Sequence, residues 1–300
     1  MNKRILILGS HGMLGQDLVK VFEADQNWEV FAYDRDEVDI TSEESLRKKI
    51  EEVEPAAIVN ATGYNAVDKC ETDEIEYELA KKINGSGPGI LAKIAKEKGV
   101  PMVHYSTDYV FDGEKGEYSE NDKPSPISNY GRSKMLGEEE IQKNTDKFYL
   151  LRTSKLFGKP GSSAMSKRSF FDTMIELSKD NSLLKIVDEE KSCFTYTPDL
   201  ALETKKIIEE QIPFGIYHVI NEGPCTWYEA AVELFKMIKI SVEAVPVSSS
   251  EFPRPAKRPK SSVLLNTKLK PLRNYTEALK EYIFTNYESI TNIRILFLYS

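Results

Sequence analysis

Tyr130 and Lys134 stand four residues apart in Tyr130-Gly131-Arg132-Ser133-Lys134. On a helix that spacing puts a phenol and an ammonium on one face. An ammonium beside a phenol favours the phenolate and draws the tyrosine pKa down from about 10. Such a phenol can hand a proton to a carbonyl oxygen while a hydride arrives from a reduced nicotinamide. The pair says little alone, because the chain holds 15 tyrosines and Tyr77 with Lys81 repeats the spacing. Taken alone, either pair reads as a solvated helix face. What separates them is Pro101-Met102-Val103-His104-Tyr105-Ser106-Thr107, an apolar strand ending in two hydroxyls. Ligands of open α/β sheets bind at the carboxyl ends of strands, where Thr107 can orient a carbonyl beside the phenol. Tyr77 has no such neighbour, so Tyr130 and Lys134 carry the chemistry.

A second group of residues points to a dinucleotide. Gly9-Ser10-His11-Gly12-Met13-Leu14-Gly15 follows the first apolar run directly and opens a helical stretch. Glycines at that spacing suit a tight turn, close approach of backbone to a diphosphate, and tight helix–strand packing. The helix N-terminus then offers unpaired N–H groups to the phosphates. Beyond the second strand comes Tyr33-Asp34-Arg35. Asp34 would accept from a ribose 2′-hydroxyl and repel a 2′-phosphate, whereas Arg35 would neutralise that phosphate. The two residues pull in opposite directions, leaving NADPH and NADH both open.

The elements that must position these groups follow from pattern. Strand-like runs at 3–8, 29–33, 56–61, 101–105 and 148–153 alternate with helical stretches at 14–24, 42–53, 73–83, 87–98 and 130–143. That alternation predicts βαβ units and a parallel sheet. Thr41 or Ser42 caps the second helix, with Glu43 and Glu44 in its favourable first turn. Residues 112–129, rich in glycine, proline and charge, read as a surface loop. In the second half 169–179, 197–210 and 226–239 have helical periodicity, while 183–187 and 215–220 read as strands. The Pro- and Ser-rich stretch 241–262 carries Arg254, Lys257, Arg258 and Lys260, which suit either a diphosphate clamp or a solvated linker. The apolar residues 293–299 are too few for a membrane anchor and read as a docking tail.

Length and charge bound the rest. Three hundred residues imply two domains at about 150 each. The expected division is a dinucleotide-binding domain over 1–153 and a mainly substrate-binding domain over 154–300, with some segments returning to the first. A formal net charge of −8 argues against nucleic acid as a partner. No run of about 18 apolar residues offers a membrane span, and the start is too short for a secretory signal. Cys70, Cys193 and Cys225, odd in number and far apart, suit neither a disulfide framework nor a metal site. Cys193, Cys225 and Trp227 read as core, and the chain as a cytoplasmic protein with no bound metal.

Together the glycine motif, Ser106-Thr107 and Tyr130-x-x-x-Lys134 resemble the extended short-chain dehydrogenase/reductases. The chain is more specifically similar to the dTDP-4-dehydrorhamnose reductase family along nearly its whole length. The matching segments are Asn60-Ala61-Thr62-Gly63-Tyr64-Asn65-Ala66-Val67-Asp68-Lys69, Ser106-Thr107-Asp108-Tyr109-Val110-Phe111-Asp112-Gly113, Leu151-Arg152-Thr153-Ser154, Gly215-Ile216-Tyr217-His218 and Arg254-Pro255-Ala256-Lys257-Arg258-Pro259. The resemblance implies a Rossmann-type doubly wound parallel sheet with a smaller C-terminal α/β substrate domain. It implies reduction, by NADPH or NADH, of the 4-keto group of a nucleotide-linked 6-deoxy sugar, in surface-polysaccharide or nucleotide-sugar biosynthesis, and it allows a homodimer. Thr107, Tyr130 and Lys134 would be catalytic, Lys134 also bonding the nicotinamide ribose. Ala61, Thr62, Gly63 and Tyr64 would lie along the dinucleotide and Asp39-Ile40 near the adenine. Val67, Ser106, Thr107, Asp108, Lys155 and Arg258 would meet the substrate.

Two departures from the family pattern fall on the substrate side. Lys155 stands where relatives usually carry Trp, and Glu190-Lys191-Ser192-Cys193-Phe194-Thr195 replaces a usual Gln-x-Gly-x-Pro-Thr. They leave room for another sugar, or for a non-catalytic nucleotide-binding subunit like that of methionine adenosyltransferase, although the hydroxyl, tyrosine and lysine all remain. A nucleotide-sugar dehydratase or epimerase is the other alternative. Dehydration needs an acid–base pair beside the tyrosine, and Asp108 is followed by Tyr109 rather than a second carboxylate.

Overall fold

The computed structural model describes residues 2–163 and 166–287. The expected docking tail at 293–299 lies outside the described residues. Lys3–Leu8 (β1), Met13–Glu23 (α1), Trp28–Tyr33 (β2), Glu43–Val53 (α2) and Ala57–Asn60 (β3) open the chain. Lys69–Thr72 (α3) and Glu74–Ala80 (α4) run through a π-helical turn at Lys81–Ser86 into Gly87–Lys98 (α5). Met102–Thr107 (β4), Gly116–Tyr118 (β5), Asn129–Asn144 (α6) and Phe148–Thr153 (β6) follow. The second half holds Leu156–Phe157 (β7), Phe170–Asp180 (α7), Leu183–Val187 (β8), Thr195–Tyr196 (β9), Thr197–Glu209 (α8) and Gly215–His218 (β10). Trp227–Ile238 (α9), Glu243–Val247 (β11), Ser262–Leu264 (β12) and Tyr275–Asn286 (α10) end the described elements.

The central sheet has the order β2-β1-β3-β4-β6-β10, every neighbouring pair parallel. Its strands are apolar on both faces because helices cover both. Leu6, Leu8, Ile58 and Met102 pack with Leu46, Ile50, Leu91 and Ile94 on one side. Ile5, Ile7, Val59 and Val103 pack with Leu18, Phe22, Leu200 and Ile207 on the other. From β1 the chain goes to one side for β2 and returns on the other for β3. The strand order therefore reverses between β1 and β3, and ligands of such sheets bind in the crevice beyond that point.

The expected doubly wound sheet is present, and its sixth strand, β10, comes from the second half of the chain. A second core gathers Phe157, Phe171, Phe194, Leu234 and Tyr282 around α7, α9 and α10. Three local expectations need correction. Residues 112–129 are not simply a surface loop: β5 pairs in parallel with β12, and the buried Tyr118 ring stacks on Phe111 at 4.2 Å. The stretch 241–262 likewise contains β11, paired with β8, and ends at the first residue of β12. Both pairings join segments far apart in the chain, so local composition does not announce them. The helix expected over 73–83 passes into the π-helical turn, for a reason that lies in Asn84.

Candidate active site

The glycine turn leaves no room for side chains at its first and third glycines. Gly9 has φ +81°, and a Cβ there would sit 2.9 Å from the backbone of Ala61 and Thr62. At Gly15 a Cβ would lie 2.0 Å from the Gly9 carbonyl oxygen, so the first and third glycines are steric requirements of the turn and of helix packing. Helix α1 starts at Gly12 with no side-chain cap and no acidic residue in its first turn. Its first N–H groups are therefore left for an external acceptor. Ser10 and Leu14 are buried, the latter in the core, while His11, Gly12 and Met13 line the turn with backbone. An uncapped helix start and a cradle that side chains would fill are what a dinucleotide diphosphate needs, so these residues fit that cofactor.

Asp34 lies against the turn. Its carboxylate accepts the N–H groups of His11 at 3.0 Å and of Arg35 at 2.7 Å. Arg35 projects with its side chain 62% exposed, 3.7 Å from Asp36. Asp39 accepts from both the N–H and the hydroxyl of Thr41 at 2.8 Å, and Ile40 is buried in the core under the sheet.

The loop after β3 is fixed from below by residues that sequence pattern did not single out. Asn60 accepts the Thr62 N–H at 3.1 Å and the Thr62 hydroxyl at 2.6 Å, while its amide nitrogen meets His104 Nδ1 at 3.1 Å. Burial drives the His104 pKa well below its ordinary value, so the ring is neutral and Nδ1 can accept. Asn84, wholly buried in the π-helical turn, accepts the Tyr64 N–H at 2.8 Å and donates to the Tyr64 carbonyl at 3.0 Å. It also donates to Ser133 Oγ on α6 at 3.0 Å. Helix α6 comes so close that a Cβ on Gly137 would lie 2.1 Å from the Asn84 carbonyl oxygen. The turn widens here so that one carboxamide can pair with the Tyr64 backbone, and π turns do concentrate at functional sites. Tyr64 is itself buried, its hydroxyl donating to Glu76. Gly63 and Asn65 stay exposed and Val67 half-buried on the same loop.

Helix α6 begins at Ser128, whose hydroxyl accepts the Gly131 N–H at 3.1 Å, and so presents Tyr130 and Lys134 at the end of β4. Tyr130 is 9% exposed. Its hydroxyl donates to Asn65 Oδ1 at 3.4 Å. Burial first, and then the charge of Asp108, push the phenol above its ordinary pKa, with the Thr107 hydroxyl opposing. This corrects the expectation that Lys134 draws the phenol down. The Lys134 ammonium instead donates to the Tyr105 carbonyl at 2.6 Å. Burial pushes it down to about 8, against the pull of Glu138.

On the expected substrate side several residues have protein partners. Ser106 is turned away: its buried hydroxyl donates to Glu138 at 2.5 Å, and Glu138 is locked by Arg152 at 2.9 and 2.6 Å. Asp108 is covered rather than exposed, and accepts from Ser262 Oγ at 2.6 Å. Arg258 grips Asp68 through both nitrogens, one at 2.7 Å, and Asp68 also accepts the Ala256 N–H at 3.1 Å. Arg254 pairs with Glu190, which accepts the Trp227 indole N–H at 2.9 Å. The Lys155 ammonium sits 3.8 Å from the centre of the Trp227 ring and donates to the Glu190 carbonyl at 3.2 Å. Burial pushes Lys155 down to about 8. Trp227, read from sequence as core, is thus half-buried in this cluster. Lys257 and Lys260 are exposed, and the three cysteines are buried and free. Tyr109 packs its ring edge-on against Tyr130 at 6.0 Å, so this position brings no second carboxylate to the phenol. Among the described residues no group of three His, Cys, Asp or Glu side chains could hold a metal, and no helix is long and apolar enough to cross a membrane.

Comparison with known proteins finds relatives along nearly the whole chain. The family described as RmlD substrate binding domain matches residues 3–287. A dTDP-4-dehydrorhamnose reductase of Aggregatibacter actinomycetemcomitans is 35% identical over 278 residues, covering 89% of this chain and 92% of its own. A probable dTDP-4,6-dihydroxy-2-methyloxan-3-one 4-ketoreductase of Streptomyces antibioticus is 36% identical over 286 residues, covering 93% and 94%. Among solved structures, a dTDP-4-dehydrorhamnose reductase of Bacillus anthracis in complex with NADP superposes with a TM-score of 0.89. That structure is 31% identical and covers 95% of this chain and 100% of its own.

Proposed function

The chain belongs to the RmlD substrate binding domain family, and from that premise we propose that it reduces the 4-keto group of a dTDP-linked 6-deoxy sugar with NADPH or NADH. The observation that carries this reading is the buried pair Tyr130 and Lys134 on α6, with Lys134 bonded to the Tyr105 carbonyl of β4, the strand that ends in Thr107. A reduced nicotinamide dinucleotide, held between the turn Gly9 to Gly15 and the loop Ala61 to Tyr64, supplies the hydride. Tyr130 gives its phenolic proton to the sugar oxygen, and Thr107 donates to the same atom. A reduction needs the phenol protonated at rest, and a pKa raised by burial keeps it so. Lys134, cationic below about 8 and bonded to the Tyr105 carbonyl, would hold the nicotinamide ribose. With the Asp34 carboxylate tied to backbone and Arg35 exposed, a 2′-phosphate meets the cation more readily than the anion, which favours acceptance of NADPH.

Val67, Lys155 and Arg258 are the substrate-side groups of this reading. Arg258 would exchange Asp68 for a diphosphate oxygen of the nucleotide. Residues 1–153 bind the dinucleotide and 154–300 mainly the sugar nucleotide, with α8 and β10 belonging to the first unit.

The test is coenzyme oxidation with a dTDP-4-keto-6-deoxy sugar generated in place. Tyr130→Phe should lower turnover by about 10²- to 10⁴-fold, as loss of a general acid does, while NADPH binding followed by fluorescence stays near wild type. A Phe variant with undiminished turnover would mean that another group is the acid.

A further inference from the structure

Thr107 at the end of β4 is paired in register with Thr153 of β6, and Lys155 follows two residues later. Adjacent strands lie about 4.8 Å apart, so Lys155 leaves the sheet close to the end of β4. Its backbone turns there in the left-handed region, φ +40°, and its carbonyl accepts the Thr195 N–H at 3.3 Å. A residue with a side chain keeps that conformation where its surroundings over-determine it, and such residues concentrate at active sites and ligand clamps.

The Lys155 ammonium has three hydrogens to give. One goes to the Glu190 carbonyl at 3.2 Å, its one hydrogen-bond acceptor among the described residues. The rings of Trp227 at 3.8 Å and Phe194 at 5.0 Å meet its charge on another side, which still leaves a hydrogen for an oxygen from outside. The two carboxyls whose charge reaches Lys155 are Asp108 and Glu190, and both are occupied. Glu190 holds Arg254 and the Trp227 indole, and Asp108 accepts from Ser262 and Thr107. The outside oxygen is neutral rather than anionic. Arg254 is paired with Glu190, Arg258 with Asp68, and Asp108 and Lys155 feel each other's charge, so this cluster carries no surplus of positive charge. On a 4-keto-6-deoxy sugar the neutral acceptors besides the carbonyl are chiefly the ring hydroxyls.

Resting on the reduction proposed above, we propose that Lys155 is a specificity-determining residue whose ammonium donates to a ring hydroxyl of the sugar, so that the hydroxylated sugar is chosen over its deoxy counterpart.

The test is kcat/KM for the dTDP-4-keto-6-deoxy sugar and for its 2-deoxy and 3-deoxy counterparts, in wild type and Lys155→Met, with folding checked by thermal melting. Loss of a hydrogen bond to a charged group should cost wild type at least about 10-fold on one of the two deoxy sugars. Lys155→Met should lose a similar factor on the parent sugar and no longer tell it from that deoxy sugar, because both changes remove the same bond. Structural damage alone would slow all three sugars alike and keep the preference. The proposal is overturned if wild type reduces all three equally well, or if Lys155→Met keeps the wild-type preference. Should the Met variant not fold, Lys155→Gln is read in its place. Its uncharged donor makes a weaker bond, so its preference should shrink, and an undiminished one overturns the proposal. A wild type that reduces none of the three sugars would instead remove the reading on which this one rests, and this proposal with it.

Discussion

At the scale of single residues, the buried ammonium of Lys134 links stability to chemistry. It is 5% exposed, donates to the Tyr105 carbonyl and is pushed down to about 8 by burial. Below that pH the lysine is protonated in folded and unfolded chains alike, and the fold bears the full cost of the buried charge. Between about 8 and the ordinary value near 10.5 the unfolded chain binds a proton that the folded one does not, so stability rises with pH across that window. A shift of this size corresponds to about 3 kcal/mol. Lys134→Met removes the charge but leaves the Tyr105 carbonyl without that partner, a cost of about 1–3 kcal/mol, so the offset at pH 7 is small. The slope is the sharper expectation. Urea unfolding of both proteins at pH 7 and pH 10 should show the variant losing ground to wild type by roughly 2–3 kcal/mol, and a constant difference would mean that Lys134 is not depressed. Turnover should be lost at both pH values. The Tyr130–Lys134 spacing was legible in the sequence because helical geometry alone puts the two on one face. That the ammonium reaches a strand carbonyl rather than the phenol was not, since that depends on how closely α6 packs on β4.

At the scale of elements, the π-helical turn at Lys81–Ser86 holds the cofactor-side loop in place. Asn84 satisfies both the N–H and the C=O of Tyr64, and Asn84→Ala would leave both buried without partners. That should cost about 2–4 kcal/mol, speed amide exchange over residues 62–66, and raise coenzyme KM more than it lowers kcat. An Ala variant with wild-type exchange in that loop would show that Tyr64 is held by other contacts. The glycine turn and the strands β1 to β4 could be read from sequence because each follows from a short local pattern, a glycine-rich turn in the first case and short, largely apolar runs between helical stretches in the others. The π turn has no such pattern, only an asparagine before Gly85 where a regular helix would place neither. The β5–β12 pair was hidden for a different reason: Gly116–Tyr118 is too short and polar to read as a strand until Ser262–Leu264, far along the chain, supplies its partner. Arg258 and Lys155 were visible as cations on the substrate side. Their partners Asp68 and Trp227 come from other elements, and no spacing rule links them.

At the scale of the whole molecule, the two halves of the chain share one sheet. Strand β10 pairs with the edge of β6, and α8 packs on the same face as α1, with Leu200, Ala201, Ile207, Ile208, Tyr217 and Val219 closing the core around Ile5, Ile7, Leu18 and Phe22. The buried Tyr105 hydroxyl, on the strand that carries Thr107, is bonded to Thr204 of α8 at 2.7 Å, and Thr197 at the start of α8 reaches back to Asp17 of α1 at 2.6 Å. A fragment of residues 1–153 would keep the glycine turn and the Thr107, Tyr130 and Lys134 side chains. It would lose six core residues worth about 1.5–3 kcal/mol each for the larger ones, on the order of 10 kcal/mol, which is comparable to the whole stability of a domain. It would also expose β6 as an unpaired apolar edge. The fragment should therefore express as an aggregate or a non-cooperative state, without a cooperative melt and without NADPH binding, although every residue assigned to the dinucleotide is present. The full chain should melt in a single transition that NADPH shifts upward by mass action. A 1–153 fragment that melted cooperatively and bound the coenzyme would show that the returning segments decorate the first unit rather than complete it, and would move the boundary of the cofactor-binding body back to the end of β6.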